Sequence, residues 1–198
     1  MINKFLLGPV IKIWFPLTVL STLFCGLVYA TVQQNYRQSA NDPQIQIAQD
    51  TIATINSGFS PKDAVFRNRI DISKSLAPFI IIYDESGKPI TSGAVLDGKT
   101  PIPPKGAFDF AKKFGENRFT WEPKNGVRNA VVLAYYKGKE SGFVLAGRSM
   151  REVEIRETRL EIQVGLAWIV ILAATLIAVI ISELFLKNIK LASTKAKK

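Results

Sequence analysis

Two long uncharged apolar runs constrain this chain more than any other feature of its sequence. The first covers Ile13–Ala30, which is 18 residues, and the second covers Val164–Ser182, which is 19 residues. A helix needs about 20 apolar residues to cross the hydrocarbon core of a bilayer. Each run therefore predicts a transmembrane helix, the first over residues 13–32 and the second over residues 164–186. We expect a membrane protein.

The first run also allows a second interpretation, as a secretory signal, because Val28-Tyr29-Ala30 is similar to a small-residue cleavage site. Its apolar stretch is longer than the usual signal core of about 7–15 residues, which favours an uncleaved anchor. Phe24 precedes Cys25 at the position where a lipoprotein signal has a small residue. Cys25 is the single cysteine, so the chain can form no intrachain disulfide.

The positive charges beside the two runs predict how the chain crosses the membrane. The net charge is +10, and Lys4 and Lys12 precede the first run. Five lysines follow the second run: Lys187, Lys190, Lys195, Lys197 and Lys198. Lysines at the ends of spans favour the cytoplasmic side. We therefore expect a two-pass membrane protein, with residues 1–12 and 187–198 in the cytoplasm and residues 33–163 in the periplasm or outside the cell.

Composition excludes most enzyme classes. The chain has no histidine, which removes Ser-His-Asp and Cys-His catalytic pairs and His-ligated zinc. It has no phosphate-loop or dinucleotide-binding motif, and its acidic residues fall mostly in turns and helix ends. We expect no enzymatic activity, no cofactor and no metal. Because the positive excess lies at the chain ends beside apolar runs, we also expect no nucleic-acid binding.

The first part of residues 33–163 has a helical period. Asn41 and Pro43 are typical of a helix start, and Gly58 is typical of a helix end. Between and just beyond them, apolar residues recur at spacings of three and four: Ile45, Ala48, Ile52, Ile55 and Phe59. This stripe predicts a helix that packs on a sheet, or a seam between two copies of the chain. Ser60–Asp63 predicts a further short helix.

From residue 77 onwards, short β-rich runs separated by turn residues replace the helical period. They predict five strands, over residues 77–84, 88–95, 118–122, 127–136 and 142–148, with a helix over residues 107–114. Ser149 is typical of a cap for a last helix, predicted to run without a break from residue 150 to residue 186. Such a rod either carries a shift of the sheet across the bilayer or is only a stalk.

This order of elements resembles the extracytoplasmic PAS-like sensor domains, of the single Cache type, of bacterial membrane receptors. The resemblance rests on the hairpin Phe79–Ile90, with its turn at Asp84-Glu85-Ser86-Gly87, and on Leu96-Asp97-Gly98. Citrate-type sensors have a similar Asp-x-x-Gly hairpin followed by a histidine, whereas this chain has Thr91-Ser92 there. The resemblance implies an α+β fold: a five-stranded antiparallel PAS/Cache-like sheet with flanking helices, between two transmembrane helices. Because only residues 187–198 follow the second span, we expect no cytoplasmic output module.

The resemblance also implies a small ligand bound between the sheet and the loop and helix that follow the second strand. Five residues are candidates for contacting it: Arg118, Trp121, Arg128, Tyr135 and Arg148. An arginine beside an aromatic ring suits an anion such as a carboxylate. The alternative for the tryptophan is a place in the core, and for the arginines a surface position.

Two classes of function follow from these predictions. In the first, the protein is a membrane-anchored sensor or small-ligand-binding protein that signals through a separate membrane protein. In the second, it is a structural or assembly subunit of a membrane complex that uses the PAS-like domain for docking. Ala174 and Ala178 have the small-xxx-small spacing that lets two membrane helices approach closely, which allows a homodimer.

Overall fold

The computed structural model describes residues 4–65, 69–138 and 140–195. It divides into two compact units. One unit, here the sheet unit, is Asn35–Arg156, and the other, here the helical unit, combines Met1–Gln34 with Glu157–Lys198. The helices of the described chain are α1 (Lys4–Ser39), α2 (Asp42–Asn56), α3 (Lys105–Phe114) and α4 (Arg151–Lys195).

The helical unit pairs the apolar parts of α1 and α4, each long and apolar enough to cross a membrane by length and composition. The Trp14 indole Nε1 donates a hydrogen bond of 3.3 Å to Thr175 Oγ1. A second hydrogen bond, of 3.0 Å, is donated by Trp168 Nε1 of α4 to Thr22 Oγ1 of α1. Interhelical hydrogen bonds of this kind contribute about 0.6–2 kcal/mol each in a bilayer. The two apolar segments therefore form a helix pair.

The strands of the sheet unit are β1 (Ile70–Asp71), β2 (Phe79–Asp84), β3 (Pro89–Ser92), β4 (Ala94–Val95), β5 (Glu116–Trp121), β6 (Asn129–Tyr136) and β7 (Gly142–Ser149). Five of them form an antiparallel sheet in the order β3-β2-β7-β6-β5. This confirms the predicted α+β fold class with a five-stranded antiparallel sheet and flanking helices. The predicted strand 88–95 is divided into β3 and β4. The parallel pairing of β4 with β1 was not predicted, because the two-residue β1 carries no periodic signal.

Each face of the sheet has its own core because side chains alternate along every strand. On one side, the α3 face, Tyr83 and Phe143 pack edge-on against Phe108 of α3, with ring centroids 5.2 and 5.1 Å apart. On the other, the α2 face, Val132 and Ala146 lie under Ala48 of α2. The sheet is thus a buried central layer with a helix on each side.

The stripe predicted for α2 packs on the sheet, which confirms the first of its two interpretations. Ala48 is buried and Ile45, Ile52 and Ile55 pack partly buried against the same core cluster, whereas Phe59 is 61% exposed. Gln44 and Thr51 are the other buried residues of α2. The sheet surface below α2 combines small and larger side chains, among them Ala134 and Ala146 with Ile82, Val132 and Val144.

The predicted start of α2 is confirmed, since Asn41 is its N-cap residue and Pro43 lies in its first turn. Asn41 has helical dihedral angles (φ −92°, ψ −21°) and makes no side-chain cap, because the chain passes from α1 into α2 through a two-residue turn. The short helix predicted at Ser60–Asp63 is wrong. Ser60–Asp63 forms a turn closed by a 2.9 Å hydrogen bond from Asp63 N to Ser60 O, and no helix. Gly58 has φ +103° after the end of α2, as its predicted C′ role requires. The unbroken last helix is confirmed and extends to Lys195.

Candidate ligand-binding groove

The space between the sheet and α3, where the resemblance places a ligand, is occupied by aromatic side chains. Tyr83 lies there with its ring buried, and its hydroxyl donates a 2.8 Å hydrogen bond to Pro101 O in the loop after β4. Burial raises the pKa of Tyr83 well above its ordinary value, which keeps the hydroxyl neutral. Trp121, 5% exposed, belongs to the same cluster. These side chains act there as core.

The five predicted site residues lie on different surfaces of the sheet unit. Trp121 and Tyr135 point to the α3 face, where the Tyr135 hydroxyl donates a 3.1 Å hydrogen bond to Glu85 Oε1. Arg118 and Arg148 alternate to the α2 face, and Arg128 lies just before β6. The structure therefore does not bring the five together as one site.

The three arginines differ in what they contact. Arg118 Nε donates a 2.7 Å hydrogen bond to Glu116 Oε1, and an Arg128 terminal nitrogen lies 2.6 Å from Glu154 Oε1. Arg148 Nε instead donates to the backbone oxygen of Leu76 at 3.3 Å. Within the described residues, Arg148 has no carboxylate partner, so it remains able to bind an anion.

Arg148 lines a groove of about 130 Å³ in the sheet unit. The floor is apolar and includes Ala130 and Met150, both buried. The walls carry hydroxyl and charged side chains from the end of α1, the end of β7 and the start of α4: Tyr36, Ser39, Arg148, Ser149, Glu152 and Arg156. Pro43 closes the groove at the start of α2.

Local sequence explains why α4 begins at the groove. Ser149 ends β7, and its Oγ accepts a 3.3 Å hydrogen bond from Arg151 N, which is the predicted cap at the start of α4. Met150 N donates to Arg128 O at 2.9 Å, so the strand ends in register with its neighbour before the helix starts. With no loop between β7 and α4, Arg148 of the strand and Glu152 of the first helical turn line the same groove.

Charges of both signs line this groove. Glu152 and Arg156 are four residues apart on α4, on one face of the helix. Neither forms an ion pair with another residue of the described chain. The N-terminus of α4 itself favours negative charge. The groove therefore offers cationic donors and a carboxylate acceptor side by side.

Adjacent in sequence to the groove residues Ala40 and Pro43, the chain buries polar atoms that have no hydrogen-bond partner among the described residues. They are Asn41 Oδ1 and both amide atoms of Gln44, Nε2 and Oε1. Gln44 is 0% exposed. An unpaired polar group in a protein interior is unfavourable by about 1–3 kcal/mol.

The sequence interpretation missed Gln44, Glu152 and Arg156. Gln44 has the helical spacing of four from Ala48, so a buried polar position was detectable once α2 was assigned. In the described part of the chain, no three His, Cys, Asp or Glu side chains are grouped as metal ligands. No protein-family model matches the sequence, and no curated protein matches it.

Proposed function

We propose that the protein is a membrane-anchored sensor that binds a small molecule in the groove and signals through a separate membrane protein. In this proposal the sheet unit is a PAS-like domain of the single Cache type on the outer side of the bacterial inner membrane. Both termini lie in the cytoplasm, as the flanking lysines favour. The protein acts as a binding module and not as an enzyme.

One observation carries the proposal: the last turns of α1 and the first turns of α4 both line the groove. Ser39 represents α1 there, and Glu152 and Arg156 represent α4. Both helices continue from the groove into the apolar stretches that are long enough to cross a membrane. A ligand in the groove therefore touches, at once, the two helices through which a signal would leave the domain.

The physical basis of signalling is a difference in ligand affinity between two arrangements of these helix ends. A ligand shifts such an equilibrium only as far as it binds one arrangement more tightly than the other. Contacts to Ser39 on one side and Arg156 on the other depend directly on the spacing of α1 and α4. A shift of this spacing would be read by the partner protein, or by the second copy in a homodimer.

The experiment measures thermal unfolding of the full-length protein in lipid nanodiscs against carboxylates, amino acids, amines and sugars. A ligand at about 100 times its dissociation constant should add about 2.7 kcal/mol to the stability of the sheet unit, a shift of several degrees. We expect the shift to disappear in Arg148→Ala and to persist in Arg118→Ala, whose arginine is exposed and paired with Glu116. A panel without a shift would refute the sensor function.

A second candidate, the docking subunit, has one observation in its favour. The outer side of α3 exposes Phe110 (47%) and Phe114 (61%), whose ring centroids lie 4.5 Å apart. Exposed paired aromatic rings are typical of protein interfaces. If the protein is a docking subunit, the double change of Phe110 and Phe114 to Ser should release a co-purifying membrane protein. A sensor should instead keep its ligand response in this variant.

A further inference from the structure

The charge pattern of the groove restricts what it can bind. An anion would meet Arg148 and Arg156 favourably, but it would also be repelled by Glu152. A cation would be attracted by Glu152 and repelled by Arg148 and Arg156. A molecule that carries both charges satisfies all three side chains, because its opposite ends face opposite charges.

The size and the floor of the groove restrict the ligand further. Its volume of about 130 Å³ is below the roughly 300–1,000 Å³ of pockets that take drug-sized ligands, so it suits a small molecule. The apolar floor at Ala130 and Met150 provides room for a small aliphatic group and no partner for a polar one.

Two further polar residues are adjacent in sequence to lining residues of the groove. Asn41 falls between Ala40 and Pro43, and Gln44 follows Pro43. Neither lines the groove, so the charged groups of a ligand are assigned to Arg148, Arg156 and Glu152.

We infer that the groove binds a small zwitterionic α-amino acid with an aliphatic side chain, such as alanine. This inference rests on the proposed sensor function and names its ligand. The carboxylate is bound by the guanidinium groups of Arg148 and Arg156, and the ammonium group by the Glu152 carboxylate. The side chain lies on the floor formed by Ala130 and Met150.

The test is calorimetric titration of the full-length protein in nanodiscs with L-alanine and two analogues that each lack one of its charged groups, propionate and ethylamine. Propionate lacks the ammonium group and ethylamine lacks the carboxylate. Because a hydrogen bond between charged groups contributes a factor of about ten or more, we expect L-alanine to bind at least about tenfold more tightly than either.

Two variants separate the roles of the charges. Glu152→Gln should weaken L-alanine binding about tenfold or more and leave propionate binding unchanged or improved. Glu116→Gln removes the same charge from a position paired with Arg118, outside the groove, and should leave both ligands unaffected.

The outcomes distinguish this inference from the sensor function itself. If propionate binds as tightly as L-alanine, or if Glu152→Gln leaves L-alanine binding unchanged, the groove is a site for anions. The inference of a zwitterionic ligand is then wrong, but the proposed sensor function is not refuted. If ethylamine binds best, the zwitterion is equally wrong. If none of the three binds and the wider panel gives no shift, the sensor function falls as well.

Discussion

Replacing Gln44 with methionine should stabilise the sheet unit. The glutamine is 0% exposed, and neither of its amide atoms has a hydrogen-bond partner among the described residues. Methionine has a similar length and no polar group that needs a partner. A substitution that removes a favourable interaction lowers stability. Gln44→Met instead removes the desolvation penalty of two buried polar atoms that have no partner.

The size of the effect follows from the two unpaired atoms. Each is unfavourable by about 1–3 kcal/mol, so removing both gains about 2 kcal/mol at the lower limit. A swap of similar volume in a packed interior loses up to about 1.5 kcal/mol, because the side chains around Ala48 must adjust. The free energy of unfolding should therefore rise by about 0.5–2 kcal/mol. For a unit of this size the melting temperature should rise by about 2–8 °C.

The assay is thermal and denaturant unfolding of the full-length protein in nanodiscs, without added ligand. Thr51→Val is the matched control, because Thr51 lies on the same buried face of α2 but its hydroxyl already donates a 2.7 Å hydrogen bond to Ile47 O. This control should stay within about 1 kcal/mol of the unchanged protein. If Gln44→Met lowers the free energy of unfolding by more than Thr51→Val does, the amide is paired and our reasoning about the groove segment is wrong.

Three further predictions concern the sheet unit and are measured by equilibrium unfolding. Gly147→Ala should destabilise the sheet unit by about 1–3 kcal/mol, because the added Cβ would lie 2.7 Å from Phe79 Cε2 and 2.9 Å from Val131 Cγ1. In the control variant Gly106→Ala, the added Cβ meets nothing within 4 Å and should not destabilise the sheet unit. Phe108→Ala should lower stability by about 3–5 kcal/mol through the loss of its packing on Tyr83 and Phe143, and equal stability would contradict the assigned core. The Ser86 hydroxyl donates a 2.6 Å hydrogen bond to Asp84 and lowers the pKa of this carboxyl from its ordinary value of 3.8. The resulting stabilisation is complete above about pH 4 and is lost as the pH falls through the lowered pKa. Asp84→Asn should therefore flatten the loss of stability with acid, and an unchanged pH profile would exclude this role.

The sheet was predictable because its signals are local. The hairpin at Phe79–Ile90 and the Asn125-Gly126 turn predict the pairs β2 with β3 and β5 with β6, and Val132 opposite Arg118 follows in antiparallel register. The pairing of β2 with β7, which places Tyr83 opposite Phe143, joins distant segments and was not predictable in this way. The short β1 and the turn at Ser60–Asp63 lacked such signals, so their conformations depend on distant contacts.

The groove could not be predicted, because its walls come from segments far apart in the sequence. Ser39, Arg148 and Glu152 come together only when α1, β7 and α4 are placed in space. The apolar stripe of α2 was predictable, because Ile45, Ala48 and Ile52 all pack against the sheet. Gln44 and Thr51 are also buried on this helix, but they were not selected because the stripe was defined by apolar residues alone.

The most direct test of the proposed sensor is hydrogen–deuterium exchange of the full-length protein in nanodiscs, with and without a saturating concentration of the molecule that raises the unfolding temperature in the ligand panel. Our proposal predicts slower exchange in two separate segments at once, residues 36–44 and residues 149–156, because the ligand lies between the end of α1 and the start of α4. Protection confined to α3 and the Phe79–Ile90 hairpin would place the ligand at the α3 face instead. That result, or no protection in either place, would contradict the groove as the sensing site.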